Sequence, residues 1–316
     1  MRLVAVAPNP AIDRLYELDR LTRDAVNRPR AETRLAGGKG FNVARAASSL
    51  GAEVTVVALL AGHAGRWMAE TLAAEGIAGR FAWAPGETRT CIAIHDAHDG
   101  TLTELNEAGP NVSFDAWTGL IGALRDELAS GDVGLVTISG SLPPGAPADG
   151  LAQLAAVAAE LAVPVGLDAG GPAMHLGLAT RPWLVKLNAA EAAATLDRAE
   201  ATDEASASEA VRQIASRTGG TVIVTRGLDG AVVRAPDGTA FRVGVAGGRG
   251  PFPVGSGDAF LAGVAVATLR GGSLVEAVRL GAAAAGANAR LAGAGRLDPR
   301  EVDRLVGDVR VEPLAG

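Results

Sequence analysis

With 316 residues, of which 48% are hydrophobic and 20% charged, the chain is long enough for one large α/β domain with an accessory part or for two ordinary domains, and too apolar for disorder. Its formal net charge of -6 argues against a broad nucleic-acid surface, although an acidic chain can still hold a local basic pocket for phosphate. The single cysteine, Cys91, rules out an internal disulfide framework and a cysteine-based metal cluster. The N-terminal apolar run breaks at Pro8, and Gly, Arg and Asp interrupt every apolar stretch before the roughly 18 to 20 residues that a membrane span needs. A soluble, cytoplasmic protein that binds neither membrane nor nucleic acid is expected.

In chain order, short β-branched runs predict strands over 3–7, 54–60, 133–138, 163–167, 183–186, 222–225 and 231–234. Ala- and Leu-rich stretches between and after them predict helices over 40–50, 66–75, 117–129, 150–161, 189–196, 206–217, 258–271, 274–291 and 299–306. This alternation reads as βαβ units around a mostly parallel sheet covered on both faces. Two stretches break it, at about 12–35 and 88–106, where strand-like alternation such as Thr90-Cys91-Ile92-Ala93-Ile94-His95 is followed by a turn. They read as hairpin-like excursions that pair into a small lid, with surface loops as the plainer alternative. No repeat of 20 to 50 residues and no long low-complexity linker divides the chain, so residues 1–316 are expected to form one unit.

The most informative segment is Gly247-Gly248-Arg249-Gly250-Pro251-Phe252-Pro253-Val254-Gly255-Ser256-Gly257-Asp258. Glycine and proline forbid a helix up to Val254, and an Ala/Leu-rich helix then begins, so Gly255 to Asp258 occupy its first turn. Unpaired backbone amides and the helix dipole make that turn an anion site. Asp258 there is either a plain helix cap or, beside glycines that admit a phosphate, a carboxylate able to take a hydroxyl proton. Arg34-Leu35-Ala36-Gly37-Gly38-Lys39-Gly40-Phe41-Asn42 is also glycine-rich, but lacks the G-x-x-x-x-G-K-[ST] spacing of a P-loop.

Lys39 and Lys186 are the only lysines in a chain that otherwise uses arginine, which suggests sites that need a compact ammonium. Lys186 is followed by Asn188 and Glu191. Their i, i+3 spacing is that of a helix capping box, and it equally sets two oxygens on one face where they could order a hydrated Mg²⁺.

Taken together, Asn9-Pro10-Ala11-Ile12-Asp13, Gly37-Gly38-Lys39-Gly40-Phe41-Asn42-Val43-Ala44, Thr88-Arg89-Thr90, Ser139-Gly140-Ser141-Leu142-Pro143, Lys186-Leu187-Asn188 with Glu191, Thr225-Arg226-Gly227-Leu228-Asp229-Gly230 and Gly255-Ser256-Gly257-Asp258 occur in an order that resembles the ribokinase-like PfkB carbohydrate kinases. Within that family they resemble the 1-phosphofructokinase and tagatose-6-phosphate kinase branch. The resemblance runs nearly end to end. It implies a three-layer α/β/α fold with a mostly parallel central sheet, a β-sheet lid, and transfer of the γ-phosphoryl of ATP, with Mg²⁺, to a sugar hydroxyl.

By the same resemblance Asp258 is the base, and Gly255, Ser256 and Gly257 form the hole for the transferring phosphoryl. Asn188 and Glu191 order Mg²⁺ largely through water; Lys186, Thr225, Gly227, Gly230 and Asn288 line the nucleotide site. Asp13, Gly38, Lys39, Asn42 and Ser139 hold the sugar, Arg89 a phosphate already on it, and Arg28 is a second contact from the lid. Segment 251–254 departs from the commonest family pattern, which contains Asp-Thr. Fructose 1-phosphate is the leading acceptor, and 103–106 resembles the 1-phosphofructokinases. Residues 91–94 resemble the tagatose-6-phosphate enzymes, so tagatose 6-phosphate or fructose 6-phosphate is the alternative. A nucleotide-binding sensor without turnover is disfavoured by the presence of Asp258, Asn188 and Glu191. An NAD enzyme is disfavoured because Pro8-Asn9-Pro10 stands where a G-x-G-x-x-G would follow the first strand. A homodimer through exposed lid edges is expected.

Overall fold

The computed structural model describes residues 1–200 and 203–314. Its first part contains β1 (Arg2–Ala7), β2 (Ala11–Leu18), β3 (Ala31–Gly37), α1 (Lys39–Ser49), β4 (Val54–Ala61), α2 (Gly62–Ala74), β5 (Ala78–Ala84), β6 (Arg89–Asp96) and β7 (Thr101–Asn106). Then follow α3 (Phe114–Ala129), β8 (Val133–Ser139), α4 (Gly150–Glu160), β9 (Val165–Asp168), α5 (Ala173–Leu178), β10 (Leu184–Asn188), α6 (Ala189–Thr195), α7 (Glu204–Thr218), β11 (Thr221–Thr225), β12 (Ala231–Arg234) and β13 (Ala240–Val243). The chain ends with α8 (Ser256–Leu269), α9 (Leu274–Asn288), α10 (Pro299–Val306) and β14 (Val311–Pro313).

Ten strands form one sheet in the order β14-β13-β12-β11-β10-β9-β8-β1-β4-β5, parallel from β5 to β11 and antiparallel beyond. The continuous apolar runs form its centre because both faces are covered. Leu3, Ala5 and Ala7 of β1 join a core with α1, α2, α8, α9 and α10, while Val4 and Val6 face the opposite core with α3, α4, α5 and α7. The expected three layers are therefore present.

A second sheet, ordered β3-β2-β6-β7, is built from the two excursions. Ala11 of β2 follows β1 closely, β3 runs into α1, and β6 follows β5, so both excursions leave and re-enter at the carboxyl ends of the main strands. Those ends also carry Ser139, Asp168, Asn188 and Thr225. In a parallel sheet this is where ligand crevices form.

The expected elements are all present, with shifted ends, and four were not anticipated: β5, β13, β14 and α5. Gly79 and Arg80 interrupt the apolar pattern of β5, and the other three have only four, three and six residues. Helix α2 starts at Gly62, ahead of the expected 66, because a distant carboxylate caps it. The amides of His63 and Ala64 donate to Glu87 at 3.0 and 2.8 Å.

Candidate active site

Helix α8 begins at Ser256 after Gly255, whose φ of 82° is left-handed and whose position would bring a Cβ within 2.7 Å of the Ala294 backbone. Only glycine fits there. The Ser256 amide is used locally, donating to the Pro253 carbonyl at 3.1 Å. The amides of Gly255, Gly257 and Asp258 have no acceptor among the described residues, which leaves three donors at the positive end of the helix. The turn can therefore receive an anion on these three amides, with Ser256 contributing its position in the turn and not its N–H.

Asp258 makes no side-chain cap, so the plain reading of this residue does not hold. Its carboxylate accepts from Asn42 Nδ2 of α1 at 2.9 Å and is 6% exposed. Burial, reinforced by the negative charge of Asp168, pushes its pKa up to about 7 against the pull of Lys39 and Lys186. A carboxylate tuned to that range is a competent general base near neutral pH.

Asp168, at the end of β9 and fully buried, joins the two lysines. It accepts from Lys39 Nζ at 2.7 Å and from Lys186 Nζ at 2.9 Å. Burial works against its charge, but the two ammonium groups prevail and hold its carboxyl below the ordinary range. Lys39 also donates to Glu191 Oε1 at 2.6 Å. Burial disfavours its charge in turn, and Asp168, Glu191 and Asp258 outweigh that, so its pKa lies above that of an ordinary lysine. A Cβ on Gly257 would lie 2.7 Å from Lys186 Nζ, which puts that ammonium against the first turn of α8. The two lysines therefore meet at one point. Asp168 is the residue that sequence reasoning missed; its one local signal is a carboxylate at a strand end before Gly170 and Gly171.

Asn188 and Glu191 form the reciprocal capping box of α6, with Glu191 N donating to Asn188 Oδ1 at 2.8 Å and Asn188 N to Glu191 Oε2 at 2.9 Å. Asp13 of β2 accepts from the Gly38 amide at 3.1 Å, and burial raises its pKa. Arg89 is held entirely by carbonyls: it donates to Asn9 O at 2.8 Å and to Glu107 O at 2.9 Å, and no carboxylate pairs with it among the described residues. Its positive charge is consequently unspent.

These groups surround one cleft of about 910 Å³ between the main sheet and the small one. Asp13, Gly38, Lys39, Asn42, Arg89, Lys186, Asn188, Glu191, Thr225, Gly227, Gly230, Gly255, Ser256, Gly257 and Asp258 all line it. Three expected residues do not. Ser139 is buried at the end of β8 with an unpartnered hydroxyl, and the adjoining Gly140 and Ser141 face the cleft in its place. Arg28 lies exposed in the β2–β3 connection. Asn288 is fully buried behind the α8 turn, where it donates to Val254 O at 2.9 Å and accepts from Gly295 N at 2.8 Å. It braces the loop before α8 and is not among the residues that line the cleft.

The slot beyond the α8 turn has further walls that the motifs did not reveal. Small residues of α9, Ala282, Ala285 and Gly286, face Leu228 and Val245, whose side chains are exposed at its mouth. Apolar walls of this kind suit an aromatic base.

The sequence profile of the pfkB family carbohydrate kinases matches residues 7–300. Over 289 residues the chain is 37% identical to a 1-phosphofructokinase of Rhodobacter capsulatus, covering 90% of this chain and 89% of that one. The phosphofructokinase-2 of Escherichia coli, solved with potassium, superposes with a TM-score of 0.87 at 25% identity over 97% of this chain and 98% of that one. A possible 1-phosphofructokinase of Thermotoga maritima superposes with a TM-score of 0.89 over the full length of both, at 23% identity, and so bears on the fold.

Proposed function

Since the chain belongs to the pfkB family of carbohydrate kinases, we propose that this phosphotransferase moves the γ-phosphoryl of ATP to a hydroxyl of a hexose phosphate, with fructose 1-phosphate as acceptor and fructose 1,6-bisphosphate as product. The observation that carries the acceptor class is Arg89, a cation without a carboxylate partner that faces the cleft. The name of the Rhodobacter relative supports the choice of sugar phosphate.

In this reading the acceptor lies under the small sheet with its phosphate on Arg89 and its hydroxyls near Asp13, Gly38, Lys39 and Asn42. Asp258, with its pKa near 7, takes the proton of the attacking hydroxyl. The free amides of Gly255, Gly257 and Asp258 stabilise charge on the transferring phosphoryl, with the Lys186 ammonium beside them. The apolar slot takes the base of the nucleotide, and Thr225, Gly227 and Gly230 border its sugar and phosphates. The small sheet acts as a lid that keeps water from the phosphoryl.

Asn188 and Glu191 fit a Mg²⁺ held through water. Both Glu191 oxygens and the Asn188 oxygen already accept hydrogen bonds, yet each oxygen has a further lone pair for water, and Mg²⁺ keeps most of its hydration shell. When bound, the ion would neutralise the phosphate charge of the nucleotide. A cytoplasmic location is proposed as well; no helix among the described residues is long and apolar enough to cross a membrane. The chain is further proposed to dimerise through the small sheet.

Coupled measurement of ADP release across fructose 1-phosphate, fructose 6-phosphate, tagatose 6-phosphate and free hexoses tests the assignment. Fructose 1-phosphate is expected to give the highest kcat/KM, and Arg89→Ala to lower it by about 10- to 100-fold, the range of hydrogen bonds to a charged group. Preference for an unphosphorylated sugar, unaffected by Arg89→Ala, would defeat it.

A further inference from the structure

Beyond Arg89, the lid face of the cleft carries a second charged side chain that no contact accounts for. Period-2 alternation on β7 turns Leu102, Glu104 and Asn106 to the cleft, opposite Cys91 and Ala93 of β6 in the register Cys91↔Asn106 and Ala93↔Glu104. Neither Glu104 nor Asn106 has a side-chain hydrogen bond or ion pair among the described residues, and both are exposed to the cleft. The thiol of Cys91 senses both ends of this strip. Burial is the main cause that pushes its pKa up to about 11, with Arg89 opposing and Asp13 and Glu104 assisting.

The Arg89 guanidinium donates to the carbonyl of Glu107, three residues along the chain from Glu104. An extended chain spans roughly 10 Å in three residues. That length accommodates a phosphate on the arginine, the carbon that bears it, and the next carbon with its substituent beside the carboxylate. A free carboxylate so near a phosphate site repels the ligand unless it receives a proton donor from it.

The two fructose monophosphates differ at this place. In furanose form, fructose 1-phosphate has the anomeric carbon, with its free and comparatively acidic hydroxyl, next to the phosphorylated carbon. In fructose 6-phosphate the corresponding carbon is C5, whose oxygen is the ring ether and cannot donate. We infer that Glu104 is a specificity-determining residue that accepts a hydrogen bond from the anomeric hydroxyl and so selects acceptors whose phosphate-bearing carbon adjoins it. Asn106, two residues on, faces the same group. This inference rests on the phosphosugar reading above and sharpens it.

The test compares full-length wild type, Glu104→Ala and Glu104→Gln on fructose 1-phosphate, fructose 6-phosphate and 2,5-anhydromannitol 1-phosphate. The last is two-fold symmetric before phosphorylation, so it stands for either monophosphate without its anomeric hydroxyl. Wild type is expected to prefer fructose 1-phosphate over the anhydro compound by about 10- to 100-fold in kcat/KM, the span of a hydrogen bond to a charged group. Glu104→Ala should remove most of that preference, because fructose 1-phosphate loses its acceptor while the acceptors without that donor are relieved of the charge and keep or gain kcat/KM. Glu104→Gln, which can accept but carries no charge, should fall between. Thermal stability should stay near that of wild type because the side chain is exposed. Equal use of fructose 1-phosphate and the anhydro compound by wild type, or an equal loss on all three acceptors in Glu104→Ala, overturns the inference alone. Failure of wild type to turn over any phosphosugar overturns the reading beneath it as well.

Discussion

Asp258 owes its pKa of about 7 to burial and to Asp168, and the sign of the resulting pH dependence follows from that. Its unfolded value is near 4. Between about 4 and 7 the folded chain therefore holds a proton that the unfolded chain has released, and stability falls as pH rises through this window. Asp258→Asn, which keeps an oxygen for Asn42, is expected to gain stability over wild type with a slope of at most about 1.4 kcal/mol per pH unit from pH 4 to 7, levelling off above. Chemical denaturation across that range reads it. The same variant should bind ATP and lose about three orders of magnitude or more in turnover. In wild type, kcat/KM should rise with pH through an apparent pKa near 7. Asp168→Asn makes a different prediction. It leaves Lys186 buried without its partner, at a cost of about 3 to 5 kcal/mol. Removing that negative charge also moves the rising limb of the rate profile to lower pH. An unshifted limb would mean that Asp168 acts only as a structural anchor.

Among the elements, α6 shows how one pair of residues serves two ends. The capping box of Asn188 and Glu191 is complete within the chain, so its presence accounts for the helix start without any ligand. Cap and ion-ordering roles separate by substitution. Asn188→Ala removes the cap and is expected to cost about 1 kcal/mol, whereas Asn188→Asp keeps an equally good N-cap. If Asn188 also orders hydrated Mg²⁺, Asn188→Asp should hold its melting temperature yet change the Mg²⁺ concentration needed for half-maximal turnover. An unaltered Mg²⁺ dependence would leave it a cap and nothing more. Helix α8 presents the opposite case. Its leading carboxylate does not cap it, and three of its amides remain free. Free amides at a helix start are what the proposed phosphoryl-binding role requires.

For the whole molecule, the small sheet adds a second wall to the crevice at the carboxyl ends of the parallel strands. Leu105, 56% exposed and paired in register with Ile92, lies on the face turned away from the cleft. If two copies associate there, Leu105→Glu should shift the chain to monomer in light scattering while leaving the melting temperature nearly unchanged; an unaltered molecular mass would place the interface elsewhere. Much of this architecture is legible in the residues. Apolar runs that are buried on both faces, such as 54–60, announce parallel strands because no half-exposed strand needs them. Gly255 and Gly38 mark their turns because each combines a positive φ with neighbouring backbone so near that a Cβ would be crowded. β5 and β14 left no such mark, since edge strands are held by one neighbour and need little pattern of their own, and β13 between β12 and β14 has only four residues in which to show one. Local sequence determined the helix start at Ser256, the glycines before it and the capping box of α6, all of which depend on residues a few positions apart. Only the tertiary structure decided that Asp168 joins both lysines, that Asn288 lies behind the loop and Ser139 beneath the cleft floor, and that Asp258 holds its proton to about pH 7. Burial and Coulomb interaction act between residues that the fold, and not the chain, makes neighbours.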